Sequence, residues 1–218
     1  MIARSSTSRA VISNTVLDNA TFILRFERGG LSFEPGQYLS VGPQGELNRR
    51  EYSIYSGTDD EWLEILVKIV DGGYVSPRLA KLVPGDHVIA EGPFGFFTMN
   101  KDIRHKKHVF IASGTGISPF HAQVRSQPDL DYLVLHGTKT SAECFGHEAF
   151  SAQRLVTCTS QEAGAGYHGR VTGWLQEHEV DLASMFWLCG NCDMIYETYD
   201  LLRSRNVPAA AIHAEVYF

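Results

Sequence analysis

The sequence predicts two folded units: a six-stranded antiparallel β-barrel over residues 1–100, then a doubly wound α/β unit over residues 101–218. Three observations carry this expectation. The first half is a run of short β segments broken by Gly, Pro, Asn and Asp turns. The second half alternates compact apolar runs with helical stretches. Between them lies the polar segment Asn100-Lys101-Asp102-Ile103-Arg104-His105-Lys106-Lys107-His108, where one pattern stops and the other starts. At 218 residues the chain is long enough for two units of about 100 residues, each able to bury a core.

In the first unit, strands are expected at 11–16, 22–27 and 38–41, separated by Asp18-Asn19, Gly29-Gly30 and Pro35-Gly36. Further strands are expected at 52–55, at 62–70, where Leu63, Ile65, Val67 and Ile69 alternate, and at 87–90. Ser76 followed by Pro77 reads as an N-cap and a first helical residue, so one short helix caps the barrel before Pro84-Gly85. In the second unit the apolar runs 109–112, 132–136, 155–158 and 186–189 have the unbroken character of strands covered on both faces. Helices are expected from Ser118, about Ser141, Thr172 and Met194, and a last strand at 212–217.

Composition excludes several roles. Nineteen Lys and Arg against 25 Asp and Glu give a net charge of −6, so no basic field favours nucleic acid or an anionic membrane surface. No apolar run reaches a membrane span and the start lacks the apolar core of a secretion signal, which points to the cytoplasm. Cys144, Cys158, Cys189 and Cys192 are too sparse for a disulfide framework and lack the spacing of an iron–sulfur or other metal site.

Two segments suit phosphate. Ser113-Gly114-Thr115-Gly116-Ile117-Ser118-Pro119 follows an apolar strand and opens a helix, where bare N–H groups face an anion. Asp71-Gly72-Gly73-Tyr74-Val75-Ser76 leads into the capping helix in the same manner. Between them in kind stands Arg49-Arg50-Glu51-Tyr52-Ser53. There a guanidinium, an aromatic ring and a hydroxyl on one strand can meet a phosphate, a planar ring and its polar edge. Each also has a plainer reading, as tight packing or a surface strand. Together they imply a dinucleotide pair.

These motifs, with Gly92-Pro93-Phe94-Gly95, Cys189-Gly190-Asn191 and the terminal Glu215-Val216-Tyr217-Phe218, resemble the ferredoxin–NADP reductase superfamily, in family order and over nearly the whole chain. The likeness is strongest to the bacterial ferredoxin/flavodoxin–NADP reductases. It implies an FAD-binding barrel and a nicotinamide-binding α/β domain. Arg50 would bind the flavin phosphate beside Glu51, Tyr52 would stack on the isoalloxazine, and Ser53 would lie near its redox-active nitrogen. Tyr74, Val75 and Ser76 would hold the FAD pyrophosphate. Thr115 would lie beside the phosphates, with Thr138, Asn191 and Asp193 completing the nucleotide site. Ser53, Cys189 and Glu215 would position and polarise the reacting rings. Tyr217 and Phe218 would cover part of the flavin until the nicotinamide displaces a stacked ring.

The coenzyme site departs from the family. Where the relatives carry Ser-Arg, this chain has Ser160-Gln161, and a neutral amide does not replace a bidentate guanidinium at a dianionic phosphate. Lys139 and Arg170 remain at family cation positions, so the expectation is FAD with NADPH, favoured over NADH by a narrow margin. The partner would be ferredoxin or flavodoxin, for which the cationic run 104–108 offers a docking patch or merely a solvated face. Competing readings are an NADH-dependent reductase feeding an oxygenase and a non-catalytic nucleotide-binding module. Cys189-Gly190-Asn191-Cys192 also reads as a redox dithiol or as a buried inert thiol beside a second one.

Overall fold

The computed structural model describes residues 7–163 and 166–217. The chain divides into two compact units, Met1–Thr98 and Met99–Phe218. The first unit is a six-stranded antiparallel sheet in the order β4-β3-β6-β1-β2-β5. Its strands are β1 (Ser8–Val16), β2 (Thr21–Glu27), β3 (Tyr38–Pro43), β4 (Arg50–Ser53), β5 (Trp62–Lys68) and β6 (His87–Phe94). A bridge between Ile54 and Ile65, with Tyr55 N–H donating to Glu64 O at 2.8 Å, joins the β4 end to β5 and closes the sheet into a barrel. Closure removes the unpaired edges that an open sheet leaves to solvent. Phe22, Leu24 and Phe26 of β2 meet Leu39, Val41, Leu63, Ile65, Val67, Val88 and Ala90 in the barrel core.

Two departures from the expected elements have local causes. β1 starts three residues early because Ser8, Arg9 and Ala10 pair with β6 before a register shift between Val11 and Ser13. Ser76 is the first residue of α1 (Ser76–Leu79), not its cap: Val75 holds the cap position in helical conformation, and the Ser76 hydroxyl accepts the Val70 N–H at 3.0 Å. The other end of α1 is closed from β1, where Asn14 Nδ2 donates to the carbonyls of Leu79, Ala80 and Leu82 at 3.0–3.2 Å.

The second unit is a sheet in the order β10-β9-β8-β7-β11-β12, parallel throughout. Its strands are β7 (His108–Ser113), β8 (Tyr132–Thr138), β9 (Leu155–Thr159), β10 (Tyr167–His168), β11 (Met185–Gly190) and β12 (Ile212–Val216). The helices are α2 (Ser118–Ser126), α3 (Val171–Glu177) and α4 (Cys192–Ser204). Val109, Ile111, Leu135, Cys158, Phe186 and Leu188 pack one face of the sheet against Leu175, Ile195 and Leu202 of α3 and α4. The helix expected from about Ser141 does not form. Three short 3₁₀ turns, Ser141–Glu143, His147–Ala149 and Ala152–Arg154, occupy that connection, and left-handed Gly146, at φ +71°, breaks the chain between the first two, just before His147. Among the described residues no helix is long and apolar enough to cross a membrane.

Candidate functional site

In an open parallel sheet, ligands bind beyond the carboxyl ends of the strands where the strand order reverses. Here that point lies between β7 and β11, since the chain builds outward from β7 through β8, β9 and β10 on one side, and through β11 and β12 on the other. β7 runs into a 3₁₀ turn, Gly114–Ile117, and then directly into α2; β11 ends at Gly190, and Asn191 caps α4. The two strand ends are locked together. Asn191 N–H donates to Ser113 Oγ at 2.8 Å, and Tyr217 N–H donates to Gly190 O at 2.9 Å. A Cβ on Gly116 would stand 2.3 Å from the Cys189 carbonyl oxygen, so only glycine lets the turn come this close. Three motifs far apart in sequence, around Thr115, Cys189 and Glu215, therefore meet at one edge.

Cys189 is fully buried and registers opposite Glu215 of β12. Burial pushes its thiol well above the ordinary value, Glu215 adds to the rise, and a hydrogen bond with the Tyr217 side chain opposes it. A thiol held neutral in this way is the reverse of the thiolate that a dithiol redox pair needs, and Cys189 and Cys192 are both free. The Asn191 side chain accepts from Asp193 N–H at 2.9 Å and Met194 N–H at 3.3 Å, so its oxygen is committed to capping α4. Asp193 is exposed in the first turn of that helix.

The neighbouring strand ends carry the expected coenzyme residues. Ser160 N–H donates to Thr138 O at 3.1 Å and Gln161 N–H to Lys139 O at 2.9 Å, so β8 and β9 bring Lys139, Ser160 and Gln161 side by side, all exposed. Thr138 is buried, its hydroxyl turned onto Thr140 O at 3.0 Å. Arg170 is exposed in the residue before α3. Two carboxylates stand among these groups. Glu143 Oε2 accepts the backbone N–H of Lys139 at 3.5 Å, and Glu162 Oε1 accepts the Ser141 N–H in a short hydrogen bond. Hydrogen bonds from Ser141 hold the Glu162 carboxyl below its usual range.

In the barrel unit, strand alternation puts Arg50 and Tyr52 on one face of β4 and Glu51 and Ser53 on the other. Arg50 and Glu51 are exposed and Ser53 is buried. Tyr52 packs partly against the barrel core, where burial pushes its phenol up to about 12 against the pull of Arg50. An exposed guanidinium beside a neutral, half-buried ring fits a phosphate next to a planar group. Arg49 is ion-paired with Glu91 at 2.6 Å. Where the loop enters α1, Val75 and Ser76 are buried and Tyr74 is exposed under the guanidinium of Arg78, 3.6 Å above its ring. Phe218 lies outside the described residues.

Residues 7–99 match the family model of the oxidoreductase FAD-binding domain. The flavodoxin/ferredoxin–NADP reductase of Shigella flexneri is 29% identical over 205 residues, covering 83% of either chain. The reductase subunit of an aromatic O-demethylase from Amycolatopsis is 28% identical over 205 residues, covering 86% of this chain and 61% of that one. A ferredoxin–NADP⁺ reductase structure from Neisseria gonorrhoeae, with bound FAD and NADP, superimposes with a TM-score of 0.83 at 20% identity over 97% of this chain and 98% of that one. Over most of its length the chain is similar in sequence to bacterial ferredoxin–NADP reductases, and it shares their fold. The match over residues 7–99 makes the chain an oxidoreductase with an FAD-binding domain.

The structure also shows two arrangements that motif reading passes over. Arg78 donates Nη1–H to Tyr74 O at 2.8 Å, tying the α1 loop; its spacing of four residues from Tyr74 was the available signal. Fully buried His136 of β8 has both ring nitrogens engaged, Nε2 with Gly114 O at 2.9 Å and Nδ1 with His147 Nε2 at 2.8 Å. Nothing in the local sequence signals that pairing, because it joins three separate segments. The cationic run Arg104, His105, Lys106 and Lys107 is exposed at the start of β7. It lies at the amino edge of the parallel sheet, opposite the edge where Thr115, Cys189 and Glu215 gather, a strand length of about 20 Å away.

Proposed function

We propose that this reductase carries electrons between NADPH and a one-electron carrier protein, ferredoxin or flavodoxin, through FAD. The observation that carries the reading is the convergence of the Thr115 turn, Cys189, Glu215 and Tyr217 at the switch point of the parallel sheet. Bound FAD supplies the redox chemistry, taking a hydride and releasing electrons singly. The chain's own residues do the positioning. Arg50 holds the flavin phosphate, Tyr52 lies on the ring, and Ser53 sits at its polar edge. Tyr74, Val75 and Ser76 hold the FAD pyrophosphate with their backbone. On the α/β unit, Thr115 meets the coenzyme phosphates, and Cys189 and Glu215 crowd the nicotinamide with a neutral thiol and a carboxylate. Tyr217 closes the site over Cys189.

Lys139 and Arg170, with Ser160 and Gln161, read the 2′-phosphate. Two cations favour NADPH, since each charge-assisted bond contributes about 1.5–3 kcal/mol before desolvation. The margin is narrow because residue 161 is Gln. A second reading, an NADH-dependent reductase component of an oxygenase, is favoured by the carboxylates of Glu143 and Glu162 at the same edge, which repel a dianion.

Steady-state kcat/KM for both coenzymes separates the two. The expected result is a modest NADPH preference that widens in Gln161→Arg, with Arg170→Ala harming NADPH at least tenfold more than NADH. A wild type preferring NADH, or an Arg170→Ala that harms both equally, selects the second reading. For the flavin, Arg50→Glu sets a carboxylate against the phosphate and should strip the yellow colour on gel filtration; full retention of FAD removes Arg50 from the site.

A further inference from the structure

His136 stands behind the glycine turn with both its nitrogens spoken for. A carbonyl oxygen only accepts, so the bond to Gly114 O requires the proton on Nε2 of His136. That leaves Nδ1 bare, and it accepts from the Nε2–H of His147. The two rings stand nearly upright to each other, their centroids 5.1 Å apart at 70°. Burial, with His147 beside it, lowers the His136 pKa to about 4, so the ring is a neutral donor and no proton carrier at neutral pH. His147 is likewise lowered by burial, with Glu148 opposing.

The Gly114 carbonyl and the Thr115 N–H belong to one planar trans peptide and point in opposite directions. Holding the oxygen therefore aims the N–H. Thr115 is the second residue of the 3₁₀ turn, so its N–H has no carbonyl one turn back within that turn and is left for a ligand. The remaining anchors of this turn act elsewhere: Ser118 Oγ donates to Thr115 O at 2.7 Å and Asn191 N–H to Ser113 Oγ. The pivot of the 114–115 peptide is His136.

We infer that His136, braced by His147, is a positioning residue that fixes the 114–115 peptide so that the Thr115 N–H faces the pyrophosphate common to NADPH and NADH. The inference rests on the pyridine-nucleotide reading above. It assigns a task to the connection 139–154: through His147 that connection braces the turn, which explains why it runs as short turns with a histidine facing the sheet instead of as a helix.

The test is the dissociation constant of NADP⁺ and of NAD⁺ for the FAD-loaded protein by isothermal titration calorimetry, together with KM and kcat. His136→Leu removes both bonds at similar volume and should weaken both coenzymes at least tenfold and by the same factor, raising KM with kcat held within about twofold and FAD content unchanged. His136→Gln, whose amide keeps a donor near the Nε2 position, should recover to within threefold of the wild type. His147→Phe leaves His136 in place without its brace and should weaken both coenzymes about threefold, which keeps the test open if His136→Leu misfolds. Unchanged constants in His136→Leu or His147→Phe overturn the inference. So does a loss that Gln fails to recover, or one confined to NADP⁺. A wild-type flavin reduced by neither coenzyme overturns the underlying reading and this inference with it; a reducible wild type with indifferent variants overturns the inference alone.

Discussion

The two loops proposed to hold phosphate are built in opposite ways. The barrel loop is held by its own neighbourhood. Ser76 Oγ takes the Val70 N–H six residues back, Gly73 N–H reaches Val70 O, and Arg78 ties Tyr74 O four residues away. The α/β loop is held from afar. His136 reaches Gly114 across 22 residues, Asn191 reaches Ser113 across 78, and Gly116 lies against the Cys189 carbonyl. A locally tied loop loses one bond per mutation, whereas a loop tied through the sheet moves with the packing of three strands. The second should be the more fragile, and its damage should spread.

The largest effect is expected at the closest contact. Gly116→Ala drives a Cβ into the backbone of Cys189 at 2.3 Å, where neither partner is a flexible side-chain tip. It should destabilise the α/β unit by about 3 kcal/mol or more and shift the Trp174 and Trp187 fluorescence transition in urea. A change below about 1 kcal/mol would mean the turn yields freely, and the contrast between the loops would fall.

Acid comes next. His136 has a folded pKa of about 4 against about 6.5 unfolded, so the unfolded chain binds the proton first as pH drops. Stability from this group is complete above pH 6.5 and is lost as pH falls toward 4, by about 3 kcal/mol at most. His108, His147 and His213 are also lowered by burial and push the same way. Urea midpoints at pH 7.5 and 4.5 should therefore differ strongly in the wild type, and His136→Leu should flatten the difference. An unaltered slope in that variant would place the acid sensitivity elsewhere.

Smaller losses are expected in the barrel loop. Ser76→Ala leaves the Val70 N–H without its acceptor next to a buried position and should cost about 1–2 kcal/mol. Arg78→Ala removes a half-exposed guanidinium with a 3.4 Å ion pair to Glu46 and should cost under about 1 kcal/mol. Thermal unfolding resolved by unit checks both, and coenzyme affinity should not move in either. A loss of coenzyme binding in Ser76→Ala would show that the barrel loop also acts at long range.

Much of the molecule was legible from residue order alone, and for stated reasons. Alternation in β5 and the continuous apolar runs of β7, β8, β9 and β11 identify strands because side-chain direction repeats every two residues, or because both faces are covered. The glycine-rich strand-to-helix turn at 113–118 announces itself by local chemistry, as does Arg50-Glu51-Tyr52-Ser53 on one short strand. Local pattern misjudged the connection after β8, where helix-forming residues are overruled by the pull of His147 onto His136 and by left-handed Gly146. It also mistook Ser76 for a cap when its hydroxyl belongs to Val70.

Residue order by itself determined the two-unit architecture, the motifs and the kinds of chemistry they admit, because these depend on periodicity and on groups a few residues apart. Only the tertiary structure decided that the Thr115 turn, Cys189, Glu215 and Tyr217 share one edge, that Cys189 is a neutral buried thiol, that the cationic run sits at the opposite edge, and that His136 holds the Gly114 carbonyl. Those facts follow from which strands lie side by side, and strand order is set by the burial of the whole sheet, which no short stretch of sequence contains.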